Sequence, residues 1–109
     1  MGASKRIFTF EEARRLLPSV RERTREALDA LAKLEGGGGE ESGEARRRAE
    51  GGIFETWVRD VEAIGVEVKG PWLVDFDSGA GYYCWRWPEE TLDFFHGYEE
   101  GFAGRVRIQ

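Results

Sequence analysis

Apolar and small residues recur at Ala13, Leu17, Val20, Thr24, Ala27, Leu31 and Leu34, spaced alternately by four and three. That spacing keeps one seam of a helix turned toward a partner helix. Thr9 followed by Glu12 is a capping box that opens the helix, and Phe8 is placed to staple onto Ala13. Pro18 interrupts the seam, because a helix-interior proline removes a hydrogen bond and clashes with the preceding turn. The expectation is a short leading helix ending near Leu17 and a longer one carrying Pro18 in its first turn. Ala45, Ala49, Ile53, Trp57, Val61 and Ile64 give a second helix, with Gly65 as its stop and Gly51-Gly52 as a weak middle. Between the two runs lies a glycine-rich connector over 36–43, so residues 10–64 read as an antiparallel helical hairpin. A phosphate-binding loop needs a preceding strand and a Gly-Lys-Ser/Thr ending, and this connector has neither.

Beyond Gly65 the period changes from helical to alternating. Strands are expected over 66–69, 72–76, 82–87 and 92–96, divided by Gly70-Pro71, by the run 77–81 and by Pro88-Glu89-Glu90-Thr91. The predicted fold is α+β within one domain, 1–109. An N-terminal antiparallel helical hairpin with a short leading helix packs on a small C-terminal antiparallel sheet of three to four strands and a C-terminal loop. If the hairpins close with Phe76 opposite Tyr82 and Trp87 opposite Leu92, then Asp75, Tyr83 and His96 form one row and Arg86 faces Asp93. Both faces of that sheet are apolar. One helical hairpin covers one face only, so a second copy of the chain is expected over the other, giving a homodimer.

Charge divides the chain in the same place as periodicity does. Residues 1–50 carry eleven Lys or Arg against ten Asp or Glu, while residues 51–109 carry five against eleven, a net of −6. The acidic half is also the aromatic half, and it holds the only cysteine, Cys84, and the only histidine, His96. That sign disfavours nucleic acid and anionic membrane surfaces. With no apolar run near membrane-spanning length, one cysteine and no leader-like N-terminus, a cytoplasmic protein is expected.

Two functional readings follow. The first is a protein-interaction module in which Trp72, Trp85, Trp87 and Phe94 form a docking face and the acidic surface selects a basic partner. It requires no cofactor. The second is a metal-dependent or acid–base enzyme. Its catalytic candidates are Asp75, Tyr83, His96 and Arg105, and its metal candidates Asp75, His96, Glu99 and Glu100. In that reading Tyr83 donates a proton and Arg105, projecting from Gly-Phe-Ala-Gly-Arg at 101–105, holds an anionic substrate. The structural alternative pairs Arg105 with Asp75 or Glu99. Cys84, mid-strand, reads as a small buried apolar residue, and Arg46, Arg47 and Arg48 as a solvated face. The first reading accounts for the composition more simply.

Leu73-Val74-Asp75-Phe76, Cys84-Trp85-Arg86, Phe94-Phe95-His96 and Gly101-Phe102-Ala103-Gly104-Arg105, behind a Phe-Thr-Phe-Glu-Glu-Ala start at Phe8, resemble a bacterial family of small uncharacterised proteins. It is the family catalogued as domain of unknown function 2203, and the likeness covers nearly the whole chain. The resemblance implies no activity, cofactor or partner. Where the family's pattern implies Trp-His followed by Glu, this chain has Phe95, His96 and Gly97.

Overall fold

The computed structural model describes residues 6–36 and 43–108. Two helices, α1 (Phe10–Gly36) and α2 (Gly43–Glu62), form the hairpin. Five strands follow: β1 (Glu67–Gly70), β2 (Leu73–Asp77), β3 (Tyr82–Arg86), β4 (Phe94–His96) and β5 (Val106–Arg107). Each strand pairs antiparallel with the next in chain order, so the sheet is a meander. The α+β class is as the sequence implies. The fifth strand is additional, and the predicted C-terminal loop contributes it at the edge. Most of the glycine-rich connector lies outside the described residues.

The capping box forms at the start of α1. The Thr9 amide donates to Glu12 Oε1 at 2.9 Å, and the Glu12 amide donates to Thr9 Oγ1 at 3.1 Å. Pro18 does not break the helix, which corrects the expectation of a short leading helix. Pro18 and Arg14 both lie on the exposed side of α1. The carbonyl that Pro18 cannot bond is therefore open to water, while Leu17 and Val20 stay in the seam. α2 likewise runs unbroken through Gly51-Gly52.

Ala13, Leu17, Val20, Thr24 and Ala27 of α1 are buried, as are Trp57 and Val61 of α2. They join Phe8, Val66, Val74, Phe76, Trp85 and Leu92 in one cluster. Thr24 is the polar member of the seam. Its hydroxyl donates to the Val20 carbonyl at 2.8 Å and accepts from Trp57 Nε1 at 2.8 Å, so both buried groups are satisfied.

Strand register differs from the predicted one by a single residue in each hairpin. Phe76 pairs with Tyr83 and Asp77 with Tyr82, and Tyr82 pairs in turn with His96. Because side chains alternate, that slip turns β3 over. Val74, Phe76, Tyr83 and Trp85 share the face packed on the helices, whereas Asp75, Asp77, Tyr82, Cys84, Phe94 and His96 share the outer face. Tyr83 thereby leaves the predicted row and packs edge-to-face on Phe10 and Phe95, with ring centroids 5.5 and 5.8 Å away. The predicted Arg86–Asp93 pair also fails, since Arg86 pairs with Leu73 and Asp93 faces Arg107 at 3.8 Å.

Part of the cover for the outer face comes from the chain itself. Residues 97–105 fold back across it: the Tyr98 hydroxyl donates to Asp77 Oδ1 at 2.7 Å, and the Arg105 guanidinium lies 4.0 Å from the Phe94 ring centre. Asp75, Cys84 and His96 are consequently 1, 1 and 3 % exposed in a single chain. The premise for a second copy, a wholly uncovered apolar sheet face, therefore does not hold.

Candidate functional site

Meander order and register place three side chains of different chemistry together on the outer face. Asp75 on β2 stands directly opposite Cys84 on β3, and His96 closes β4 beside them. One donor atom from each lies within 4.8 Å of the others. Asp75 and His96 meet as the sequence reading expects, but the third member is Cys84 in place of Tyr83.

Hydrogen bonding fixes what these groups present to one another. His96 Nδ1 lies 2.7 Å from the Gly97 carbonyl, which only accepts, so Nδ1 carries a hydrogen. Nε2 then faces Asp75 Oδ2 at 3.0 Å. A bare ring nitrogen and a carboxylate oxygen repel at that distance, so a second proton or a metal ion must lie between them. Lys69 Nζ approaches the same Oδ2 at 3.2 Å. Among the described residues the other oxygen, Asp75 Oδ1, is buried without a hydrogen-bond partner, an expensive arrangement for a carboxylate.

Burial works against the Lys69 ammonium, yet hydrogen bonding and charge from Asp75 outweigh it and hold its pKa above the ordinary lysine value. The ammonium also sits 3.9 Å from the centre of the Tyr82 ring. Burial pushes the Cys84 thiol up to about 12, the Asp75 charge adds to the shift, and Arg105 partly offsets it. In metal-free protein Cys84 is therefore a protonated, unreactive thiol at neutral pH. Iodoacetamide at pH 8 is expected to label it only when urea unfolds the chain. Rapid labelling of the native protein would show the thiol open and ionised.

Asp75, Cys84 and His96 form the floor of a pocket of about 280 Å³, also lined by Lys69, Leu73, Tyr98, Gly101 and Phe102. Tyr98 and Phe102 stand at its mouth, 49 and 37 % exposed. The hydrogen bond to Asp77 is the main reason that the Tyr98 phenol is pushed up to about 12, so it remains a donor at neutral pH. A larger hollow of about 490 Å³ lies between α1 and α2, walled by Ala27, Ala30, Ala49, Gly52 and Ile53. Among the described residues it holds no buried ionisable side chain, so chemistry points to the smaller pocket.

The remaining candidates lie elsewhere. Glu100 Oε1 accepts from the Gly97 amide at 2.8 Å and shapes the turn after His96. Glu99 is exposed, and among the described residues neither glutamate joins the Asp75–Cys84–His96 group. Arg105 makes an ion pair, though with Glu89 at 2.9 Å and with neither Asp75 nor Glu99. Its guanidinium is closed between the rings of Phe94 and Phe102, at 4.0 and 4.1 Å, while Nη1 reaches Cys84 Sγ at 4.0 Å. Of the four proposed docking aromatics, Trp85 is fully buried. Trp72 packs on Trp57 and Phe54 at 4.8 and 5.6 Å, Trp87 lies under Arg21, and Phe94 is stacked by Arg105 and Arg107.

The molecule is thus an α+β protein whose meander sheet carries a carboxylate–thiol–imidazole cluster on the face away from its helices. Residues 6–108 match the family model described as "Uncharacterized conserved protein (DUF2203)", and the chain belongs to that family. No curated protein and no solved structure matches it significantly.

Proposed function

We propose that Asp75, Cys84 and His96 bind a single zinc-type metal ion whose open coordination position faces the pocket, and that the protein is a metal-dependent enzyme for a small molecule. The observation that carries this reading is the orientation of His96. A metal-bound histidine characteristically donates its other ring N–H to a carbonyl or carboxylate, and here Nδ1–H points at the Gly97 carbonyl while Nε2 is turned to Asp75. The orphaned Asp75 Oδ1 supports the same reading, because a carboxylate on a metal has use for a second lone-pair direction.

One oxygen, one sulfur and one nitrogen donor suit zinc, whose bonds of about 2.0–2.3 Å imply donor separations of about 3.3–3.7 Å in a tetrahedron. The Nε2–Oδ2 separation of 3.0 Å and the 4.8 Å limit for the set bracket those values, so the three donors stand near the spacing that zinc requires. Such an ion supplies Lewis acidity and an activated water to a bound molecule. The chain's part is to hold its ligands, to keep the floor of the pocket dry, and to leave the mouth open between Tyr98 and Phe102.

Metal uptake would replace both the thiol proton and the proton shared by His96 and Asp75, so binding and proton release are linked. Chelator-stripped protein titrated with cobalt(II) at neutral pH is expected to take up about one equivalent per chain, to develop thiolate-to-cobalt absorption in the near ultraviolet, and to release about two protons. Zinc should displace the cobalt and bleach the band. Absence of that absorption at stoichiometric cobalt would leave a proton as the group shared by Asp75 and His96, and would overturn the metal reading.

A further inference from the structure

We infer that the pocket binds a small organic carboxylate, its charged end shared between the metal's open position and Lys69 and its apolar body lying along Leu73, Tyr98 and Phe102. This rests on the metal reading above and names the ligand class of the same site.

The size of the pocket comes first. At about 280 Å³ it stands at the small end of ligand cavities, too small for a polymer segment and sufficient for a molecule of modest size. Its lining is divided by polarity. Every ionisable group that lines it on the sheet side, Lys69, Asp75, Cys84 and His96, lies at the floor or the β1 wall, while half-buried Leu73 and the rings of Tyr98 and Phe102 form the outer part. A ligand that fits both parts has one polar end and an apolar body.

Charge decides the sign of the polar end. The Asp75 carboxylate and the Cys84 thiolate together neutralise a divalent ion. Once Asp75 bonds to that ion, Lys69 loses its 3.2 Å contact with Oδ2 as a full charge partner. The contact that remains, to Glu67 Oε1, is 3.6 Å long, and that oxygen already accepts from the Tyr82 hydroxyl at 3.0 Å. The ammonium, partly open to solvent, is thus available at the pocket to pair with an anion. Among the described residues Lys69 is the cation lining this pocket. Arg105, the anion receptor in the sequence reading, is already committed to Glu89 between two rings.

The same inventory selects among anions. A phosphate dianion is normally met by several donors, such as a bidentate arginine or a helix N-terminus. Among the described residues neither lines the pocket, whose one ammonium and one proposed metal position match the two oxygens of a carboxylate.

The test uses the full chain loaded with cobalt(II), whose visible bands report a change in its coordination. Acetate, butyrate, benzoate and inorganic phosphate are titrated in turn. Butyrate is expected to bind about tenfold more tightly than acetate, since two more methylene groups are buried, with benzoate tighter than acetate and phosphate weaker than either. Lys69→Met keeps an unbranched side chain of similar length without the charge and should weaken benzoate at least about tenfold, the worth of one charge-assisted hydrogen bond, without weakening cobalt. Phe102→Ala should erase most of benzoate's advantage over acetate while leaving acetate unchanged. Spectra indifferent to all carboxylates, phosphate binding more tightly than benzoate, or Lys69→Met binding benzoate like the parent would each overturn the proposal with the metal site intact. Failure to take up cobalt at all would overturn both readings together.

Discussion

Asp75→Asn is expected to leave the fold in place and to lower zinc affinity by at least about 100-fold. The magnitude has a floor, because loss of a partner that merely orients a metal ligand already costs about 10–100-fold, and Asp75 is proposed as a ligand itself. Preservation of the fold follows from the hydrogen-bond inventory. His96 Nδ1–H remains on the Gly97 carbonyl, and the new amide N–H donates to Nε2, where the carboxylate needed a proton or a metal ion between. The amide nitrogen then stands where Oδ2 met Lys69, so the ammonium loses that contact and turns to solvent, to which it is partly open, and to Glu67. Stability of the metal-free chain should therefore change by no more than about 2 kcal/mol in urea unfolding. Cobalt titration of parent and variant reads the affinity. If the variant binds cobalt as the parent does, the carboxylate is no ligand. If the metal-free variant is unfolded, Asp75 is needed chiefly to hold β2, β3 and β4 together.

How far the sequence alone leads to this site turns on one residue of register. Helical spacing located both helices and all the buried positions of α1, from Ala13 to Ala27, because burial in a hairpin follows period directly. Strand alternation located β2 and β3 to within a residue, and the loops between them were evident from Gly and Pro. Pairing of the strands was set one residue off in each hairpin. Between β2 and β4 the two offsets add to two residues, one full side-chain period, so Asp75 and His96 share a face in both registers although Asp75 lines up with Phe94. Within β3 the offset is a single residue, which reverses the face, so the predicted register gives Tyr83 the position that Cys84 holds. A usable signal was present: Val74 and Phe76 alternate with Asp75 and Asp77, and Tyr83 and Trp85 alternate with Cys84 and Arg86. Matching apolar face to apolar face selects the observed register, since one face must pack on the helices. Lys69, Tyr98 and the covering segment 97–105 were beyond reach, because a chain that folds back over a sheet leaves no periodic trace. The continuous α1 was missed for a different reason: whether a helix survives Pro18 depends on solvent access to the freed carbonyl, a property of the tertiary fold.

Trp85→Ala is expected to cost about 3–5 kcal/mol of stability, a large share of the roughly 5–15 kcal/mol that holds a domain of this size together. The sequence suggests Trp85 as a docking residue, for which the same substitution would abolish partner binding and spare the fold. Its position says otherwise. The ring is fully buried, opposite Val74 on the face against the helices, and edge-on to Trp87 at 6.3 Å. Removing it opens a cavity in the cluster that joins α1, α2 and the sheet. Its indole N–H also donates to the Glu89 carbonyl at 2.7 Å, anchoring the turn whose Glu89 side chain takes the Arg86 amide at 2.9 Å and Arg105. The core thus reaches the site by a short route, from Trp85 through Glu89 to the guanidinium beside Cys84. Trp85→Phe separates the two contributions: most of the packing stays, the indole bond goes, and a loss of about 1–2 kcal/mol is expected. Urea unfolding of the two variants checks both values. A parent-like midpoint for Trp85→Ala would show that the ring is dispensable to the core and return it to the list of surface anchors.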